Sequence, residues 1–445
     1  MAPRRVIIDT DPGVDDVVAM LLAFSALPEE LEVLLLSVTY GNIDVQNCLR
    51  NVVSLFFHIE KEIEWRKSQG KTLGFDGLRK QKPLVAIGPE HPLADQLLMA
   101  DFFHGTDGLG GIHETHPRFT PAETWKQLFT QAGSSQSPAD RIISTELQNA
   151  NAMFTPSQAP ADEEILRLLR DNEPDTITIV AIGPLTNLAL AAAKDTETFL
   201  RAKEIVVMGG TIFEHGNITP CAEFNTFADS YAAARLYALT SPNPSSTMPP
   251  APPAPAGQPE GQHPPPYLAP YPENLSRRLK VTLFPLDITE QHILSRGTFR
   301  KFLEPQVAAG SPLADWAAAF LTATFHKVES LQQNLSGDAV GLQLHDPLTI
   351  WYCMATTLTG KSTSIFKDED LRVETSGQWT RGMYVIDRRT RKKLEEGDPE
   401  AGSDHGKWLS VKSGNRLDRC IGSPQTSGQQ PFGEFLLQRV FGIET

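Results

Sequence analysis

Cysteine is scarce: the four in 445 residues, Cys48, Cys221, Cys353 and Cys420, lie far apart and show none of the paired spacings of a zinc site or a disulfide framework. They read as ordinary reduced thiols. No apolar run approaches the ~20 residues of a membrane span, and the short run Val6 to Ile8 ahead of Asp9 is no secretory signal. The expectation is a soluble cytoplasmic protein. Positive charge is in deficit, with 40 Lys and Arg against 54 Asp and Glu for a formal net charge of −14. That balance argues against nucleic acid and anionic membrane as partners, because both are bound through positive surface. A small molecule or a protein partner fits better. Hydrophobic residues make up 40% of the chain, enough for one large core or two modest ones.

What the chain has in unusual density is acid at one place. Asp9-Thr10-Asp11-Pro12-Gly13-Val14-Asp15-Asp16 follows the apolar run Val6-Ile7-Ile8 and precedes a helix-compatible run from Val17 to Phe24. Such an order puts four carboxylates on the turn leaving the carboxyl end of a buried parallel strand, where α/β sheets place their ligands. Carboxylates this close repel one another strongly, so some must take up a proton or share a cation. Calcium suits the donor set best, since it accepts about six to eight oxygens in irregular geometry. Zinc would want His and Cys, and magnesium fewer protein ligands in a stricter octahedron. A plainer explanation has Asp15 and Asp16 favouring a helix N-terminus while Asp9 caps a turn, but capping needs one or two acids rather than four.

Strand-like apolar runs recur at Val6 to Ile8, Glu32 to Thr39, Leu84 to Ile87, Thr176 to Ile182, Glu204 to Met208 and Lys280 to Leu286. Helical patterns at Asn187 to Lys194 and Asp229 to Leu239 fall between them as crossovers. The alternation predicts an α/β fold, a mostly parallel central sheet flanked by helices, open and Rossmann-like. Leu371 to Thr375 with Gly382 to Asp387 reads as a hairpin, and Phe432 to Phe441 as a closing helix. Three segments interrupt the pattern. Residues 241–272 hold 13 prolines in 32 positions, a composition that predicts a disordered or polyproline-like loop. It joins a helix to a strand, so it belongs at the amino edge of the sheet, dispensable for chemistry. Residues 117–160 and 392–414 are polar and weakly periodic, and read as surface insertions. The first follows the Gly-rich stretch Phe103 to Gly111 on the ligand side and is a candidate lid. The remainder of residues 1–445 fits a single enlarged domain.

Further pieces stand in order along the chain: Thr39-Tyr40-Gly41-Asn42, Ile182-Gly183-Pro184-Leu185-Thr186-Asn187-Leu188, Met208-Gly209-Gly210, Gly216-Asn217-Ile218-Thr219, Ala222-Glu223-Phe224-Asn225 and His345-Asp346-Pro347. Together with the acidic opening, this series resembles the nucleoside hydrolase family, calcium-dependent inosine-uridine preferring nucleoside N-ribohydrolases. The likeness runs from Arg5 to about Asp387 and lapses at the insertions. The resemblance implies hydrolysis of the N-glycosidic bond of ribonucleosides to ribose and free base, and assembly as a homodimer or homotetramer. It also implies calcium ligands at Asp11, Asp16 and Asp346, with the backbone carbonyl of Ile182. Asp9 would brace that site from behind. Cleavage builds positive charge on the sugar, so negative charge beneath the ribose and an activated water are required. Asp11, beside the metal-held water, is the expected general base. Asp15 would accept from the ribose hydroxyls, and Asn42, Asn217, Glu223 and Asn225 would complete a sugar cradle. Glu223 and Asn225, two apart, are expected on one side of a strand-like segment. His345 is the expected activator of the leaving base, because imidazole titrates near neutrality. His104 matches a family position near the base pocket, and Asn187 is expected only to cap a helix.

Two competing functions use the same opening. Haloacid dehalogenase-like magnesium phosphatases also carry an Asp-x-Asp pair after a buried strand, but here Pro12-Gly13 follows and no downstream lysine with a second acidic pair is evident. A catalytically inactive ribose-binding or scaffold protein, docking through its proline-rich loop, is the other. Intact Asp11, Asp16, His345 and Asp346 weigh against it.

Overall fold

The strand Arg4–Thr10 (β1) lies between Leu31–Val38 (β2) and Ile177–Ala181 (β5), parallel to both. In this computed structural model, residues 2–94, 96–122, 126, 128–129, 153–250, 269–332, 335–358, 364–395, 398, 402–422 and 431–443 are described. Adding Leu84–Ile87 (β3), Thr155–Pro156 (β4), Glu204–Met208 (β6), Val281–Phe284 (β7), Ile365–Glu369 (β10) and Leu417–Cys420 (β13) gives a nine-stranded sheet, ordered β10-β13-β7-β6-β5-β1-β2-β3-β4. Among the described residues of this sheet, only β10 runs antiparallel to its neighbour. Two short antiparallel pairs stand apart: Ile293–Ser295 (β8) with Gly341–Gln343 (β9), and Leu371–Val373 (β11) with Tyr384–Ile386 (β12). The second is the expected hairpin.

Covered on both faces, the central strands read as Val/Ile runs whose side chains alternate between two cores. Val6, Ile8, Val180 and Val206 face one layer. It contains helices Val14–Phe24 (α1), Val45–Ser68 (α2), Pro312–Leu331 (α6), His345–Leu358 (α7) and Phe432–Phe441 (α8). Ile7, Ile179, Ile205 and Val207 face the other, built from Ala161–Asp171 (α3), Thr186–Lys194 (α4) and Ser230–Ala238 (α5). Each such burial stabilises by roughly 2 kcal/mol, so a register slip by one residue would be prohibitive.

The chain runs outward from β1 through β2 and β3, then returns to β5 and proceeds the other way through β6 and β7. The carboxyl ends of β1 and β5 therefore flank the point where strand order reverses, the crevice in which doubly wound sheets bind ligands. The acidic turn sits there.

All three interrupting segments pack in part against the fold where they are described. The described ends of 117–160 are not wholly surface: Phe119, Leu128 and Phe154 are buried, Phe154 stacks on Phe56 at 4.9 Å, and β4 extends the sheet beside β3. Isolated aromatics in a polar stretch gave no periodicity to read, yet each fills the core. The part of 117–160 that could cover a ligand lies outside the described residues. In 241–272, Ser241, Pro244 and Tyr271 are buried and Pro244–Ser246 forms a 3-10 turn, with the Arg235 guanidinium 5.0 Å from the Tyr271 ring centre. The ends of the proline-rich segment are thus packed, while 251–268 lie outside the described residues. In 392–414, Leu394 bridges to Ser410, Leu409 is buried, and Trp408 lies under Arg372.

Candidate active site

α1 and α7 pack against each other, and each opens with acid: Asp15 and Asp16 in the first turn of α1, Asp346 in the first turn of α7. Two helix N-termini, each carrying partial positive charge, thus point into the crevice. Oxygens of Asp15, Asp16 and Asp346 lie within 4.8 Å of one another. Asp11 stands beside them, fully buried, its Oδ2 accepting from the Asn42 backbone N–H at 2.8 Å and its Oδ1 without a partner. A Cβ on Gly183 would fall 2.5 Å from that oxygen, so only glycine leaves the space open.

Asp16 is the most tightly held of the four. It accepts from the Thr10 hydroxyl at 2.7 Å, the Asn42 side-chain amide at 2.9 Å and the Gly13 N–H at 3.1 Å. Burial pushes Asp15 up to about 7 and Asp11 and Asp346 well above the usual carboxylate range; neighbouring carboxylates add to this, Asp16 for Asp11 and Asp15 for Asp346. Asp9, behind the site, is pushed up to about 7 by burial, against donors from Ser37 at 2.5 Å and Asn187 at 2.8 Å. A bound cation would offset the burial and mutual repulsion that raise these carboxylates. All the converging donors are oxygens, one buried oxygen has no partner, and the charge is uniformly negative, which fits a hard divalent cation.

A cavity of about 240 Å³ opens above. Asp15, Asn42, His104, Ile182, Asn217, Glu223, Asn225, His345 and Asp346 all line it, while Asp11 and Asp16 lie behind its wall. Ala100, Phe102, Phe103, Val328 and Leu331 give it an apolar part. No described residue of 117–160 reaches it.

Several expectations change in detail. Glu223 and Asn225 are not on a strand: Phe224–Ala228 is a helix, and Glu223 is its N-cap, accepting from the N–H groups of Asn225 at 2.6 Å, Thr226 at 3.0 Å and Gly210 at 2.7 Å. Asn225 turns its side-chain amide to the Ile182 carbonyl at 3.1 Å. Asn217 accepts from the Phe224 N–H at 2.8 Å. Asn187 does not cap its helix; it reaches across to Asp9 and Ser37. His345 is not near neutrality, since burial pulls it down to about 4, and its Nδ1 lies 2.8 Å from the Thr289 hydroxyl. Burial and the nearby His345 take His104 down to about 3, and its Nδ1 accepts from the Val14 N–H at 3.2 Å.

Sequence reasoning missed three contributors. Thr289 holds His345, Ser37 shares Asp9, and Tyr384 from the hairpin accepts from Thr226 at 3.0 Å while its ring lies against Gly210. Gly210 has φ 76°, and a Cβ there would meet the Tyr384 ring at 1.8 Å. None carries a local signal; only the fold brings these pairs together.

Several known proteins resemble this chain. A protein of uncharacterised function from Schizosaccharomyces pombe is 29% identical over 86% of this chain and 89% of its own length. The pyrimidine-specific ribonucleoside hydrolase RihA of Klebsiella pneumoniae is 28% identical over 85% of this chain and 87% of its own. Uridine nucleosidase 1 of Arabidopsis thaliana is 32% identical over 52% of each chain. Among solved structures, a plant nucleoside hydrolase superposes with a TM-score of 0.62 at 22% identity, covering 99% of this chain and 100% of that one, which speaks for the fold. The pattern that defines inosine-uridine preferring nucleoside hydrolases matches residues 6–402. The chain belongs to the inosine-uridine preferring nucleoside hydrolase family.

Proposed function

We propose that this enzyme, a hydrolase of the N-glycosidic bond of ribonucleosides, works with a calcium ion held by Asp11, Asp16, Asp346 and the Ile182 carbonyl. Bound there, calcium would lower the pKa of a water and anchor the ribose diol. The charge of the cation is what would let four neighbouring carboxylates ionise together. Asp11, whose Oδ1 is buried and unpartnered, takes the proton of the attacking water. Asp15 lines the cavity among the converging carboxylates, and accepts from the ribose hydroxyls while adding negative charge beneath the developing oxocarbenium. Asn42, Asn217, Glu223 and Asn225 form the sugar cradle. The carboxylate of Glu223 is already engaged by three backbone N–H groups, so it meets a hydroxyl in a fixed orientation.

His345 aids departure of the base as a hydrogen-bond donor from the cavity wall, its Nδ1 already engaged by Thr289 so that Nε2 is the atom left for the base. His104 lines the same cavity beside it. A cytoplasmic location and a homodimeric or homotetrameric assembly complete the reading; in support, no described helix is long and apolar enough to cross a membrane. The observation that carries the proposal is the convergence of Asp15, Asp16 and Asp346 on one another, with a buried, unpartnered Asp11 oxygen in the same acidic turn. Related proteins are named for uridine and pyrimidine ribonucleosides, so uridine is the first substrate to try, with inosine beside it. The test is free-ribose release before chelation, after it, and after calcium is restored. Release that survives complete chelation would remove the metal from the proposal, and no release with calcium present would remove the roles assigned here.

A further inference from the structure

β7 ends at Phe284 and the chain turns at once into the short helix Leu286–Thr289, whose last residue is fully buried. There the Thr289 hydroxyl lies 2.8 Å from Nδ1 of His345, the first residue of α7. No second hydrogen-bond partner of the Thr289 hydroxyl, side chain or backbone, is found among the described residues. The direction of the bond follows from hydrogen inventory. If Nδ1 carried the hydrogen and the hydroxyl accepted, the buried hydroxyl hydrogen would be left without an acceptor. If the hydroxyl donates, both groups are satisfied and the imidazole hydrogen is on Nε2.

We propose that Thr289 is a positioning residue that holds His345 in its Nε2–H form, so that the cavity-lining imidazole presents a hydrogen-bond donor to the departing base. The inference rests on the role given to His345 above and adds what sets its tautomer and orientation. Bond cleavage then places a developing negative charge on the base next to an N–H that needs no reorientation at that moment. Among the described residues the Thr289 hydroxyl makes no hydrogen bond to the carboxylates or to the sugar cradle.

The test uses two leaving groups on the full-length protein. Uridine needs help to depart, whereas the nitrophenolate of p-nitrophenyl β-D-ribofuranoside leaves unaided. Thr289→Val keeps the shape and removes the hydroxyl; Thr289→Ser keeps the hydroxyl. Thr289→Val is expected to lower kcat for uridine by roughly tenfold or more with KM little changed, and to leave nitrophenyl riboside hydrolysis near wild type. Thr289→Ser is expected to recover most of the uridine rate. An equal fall on both substrates, or no fall on uridine, overturns the assignment. If Thr289→Val does not fold, side-chain ¹⁵N shifts of His345 in the wild type decide: the Nε2–H tautomer supports the assignment and the Nδ1–H tautomer overturns it. A wild-type protein that hydrolyses neither substrate refutes the proposed roles themselves, and this one with them.

Discussion

The side-chain amide of Asn187 donates to Asp9 Oδ1 at 2.8 Å and to the Ser37 hydroxyl at 2.9 Å, tying the first turn of α4 to the adjacent strands β1 and β2. The carboxylate so held lies two residues ahead of Asp11, so this bond sets where the acidic turn begins. Replacing Asn187 with Ala removes one of the two donors that keep Asp9 down against burial. The expected cost is about 1–3 kcal/mol in urea unfolding. It should be larger at pH 8 than at pH 5, because ionised Asp9 depends on the donor more than protonated Asp9 does. An equal loss at both pH values would contradict this account.

Metal removal should reverse the usual pH dependence of a carboxylate site. In the metal-free protein Asp9 and Asp15 sit near 7 in the folded state against about 3.9 when unfolded. Groups raised in this way favour folding fully below the unfolded value, and that contribution is lost as pH rises through the folded one. Thermal unfolding in chelator should therefore show a falling Tm between about pH 5 and about pH 8, with calcium restoring most where the loss is greatest. A Tm in chelator that climbs across this window would refute it.

Asp16 accepts from Thr10, Gly13 and Asn42 at once, so its geometry is independent of a cation. Asp16→Asn keeps the volume and removes the charge. Calcium should then no longer raise Tm, and uridine turnover should fall by roughly a hundredfold or more. Calorimetric titration with calcium alone checks the first point without reference to activity.

Gly210 and Tyr384 make a double-mutant cycle. Gly210→Ala drives a methyl into the Tyr384 ring at a position with φ 76°, at an expected cost of about 1–3 kcal/mol. Against a Tyr384→Ala background the same change should cost less, because the steric part has gone and only the backbone part remains. Strict additivity in urea unfolding would show that the contact carries no energy.

How far the chain can be read without its structure depends on which face of an element is covered. β1, β2, β5 and β6 were legible because burial on both sides demands unbroken Val, Ile and Leu. β10 (Ile-Phe-Lys-Asp-Glu) and β13 (Leu-Asp-Arg-Cys) were not, since their charged residues satisfy one another: Lys367 pairs with Asp418 at 2.6 Å and Arg419 with Glu369 at 2.7 Å. The acidic turn was legible as a ligand site from charge density alone. Glu223 as a cap was not, because Phe224-Asn225-Thr226-Phe227-Ala228 has poor intrinsic helix preference and owes its single turn to the carboxylate that opens it. Partners such as Thr289 and His345, 56 positions apart, leave no local trace.

Because the segment between α5 and β7 enters the sheet from the side opposite the crevice, it offers the experimenter a handle. A fluorophore attached at the exposed Glu273, in the described part of that segment, would report on the protein from its far side, leaving the substrate entrance clear for titration.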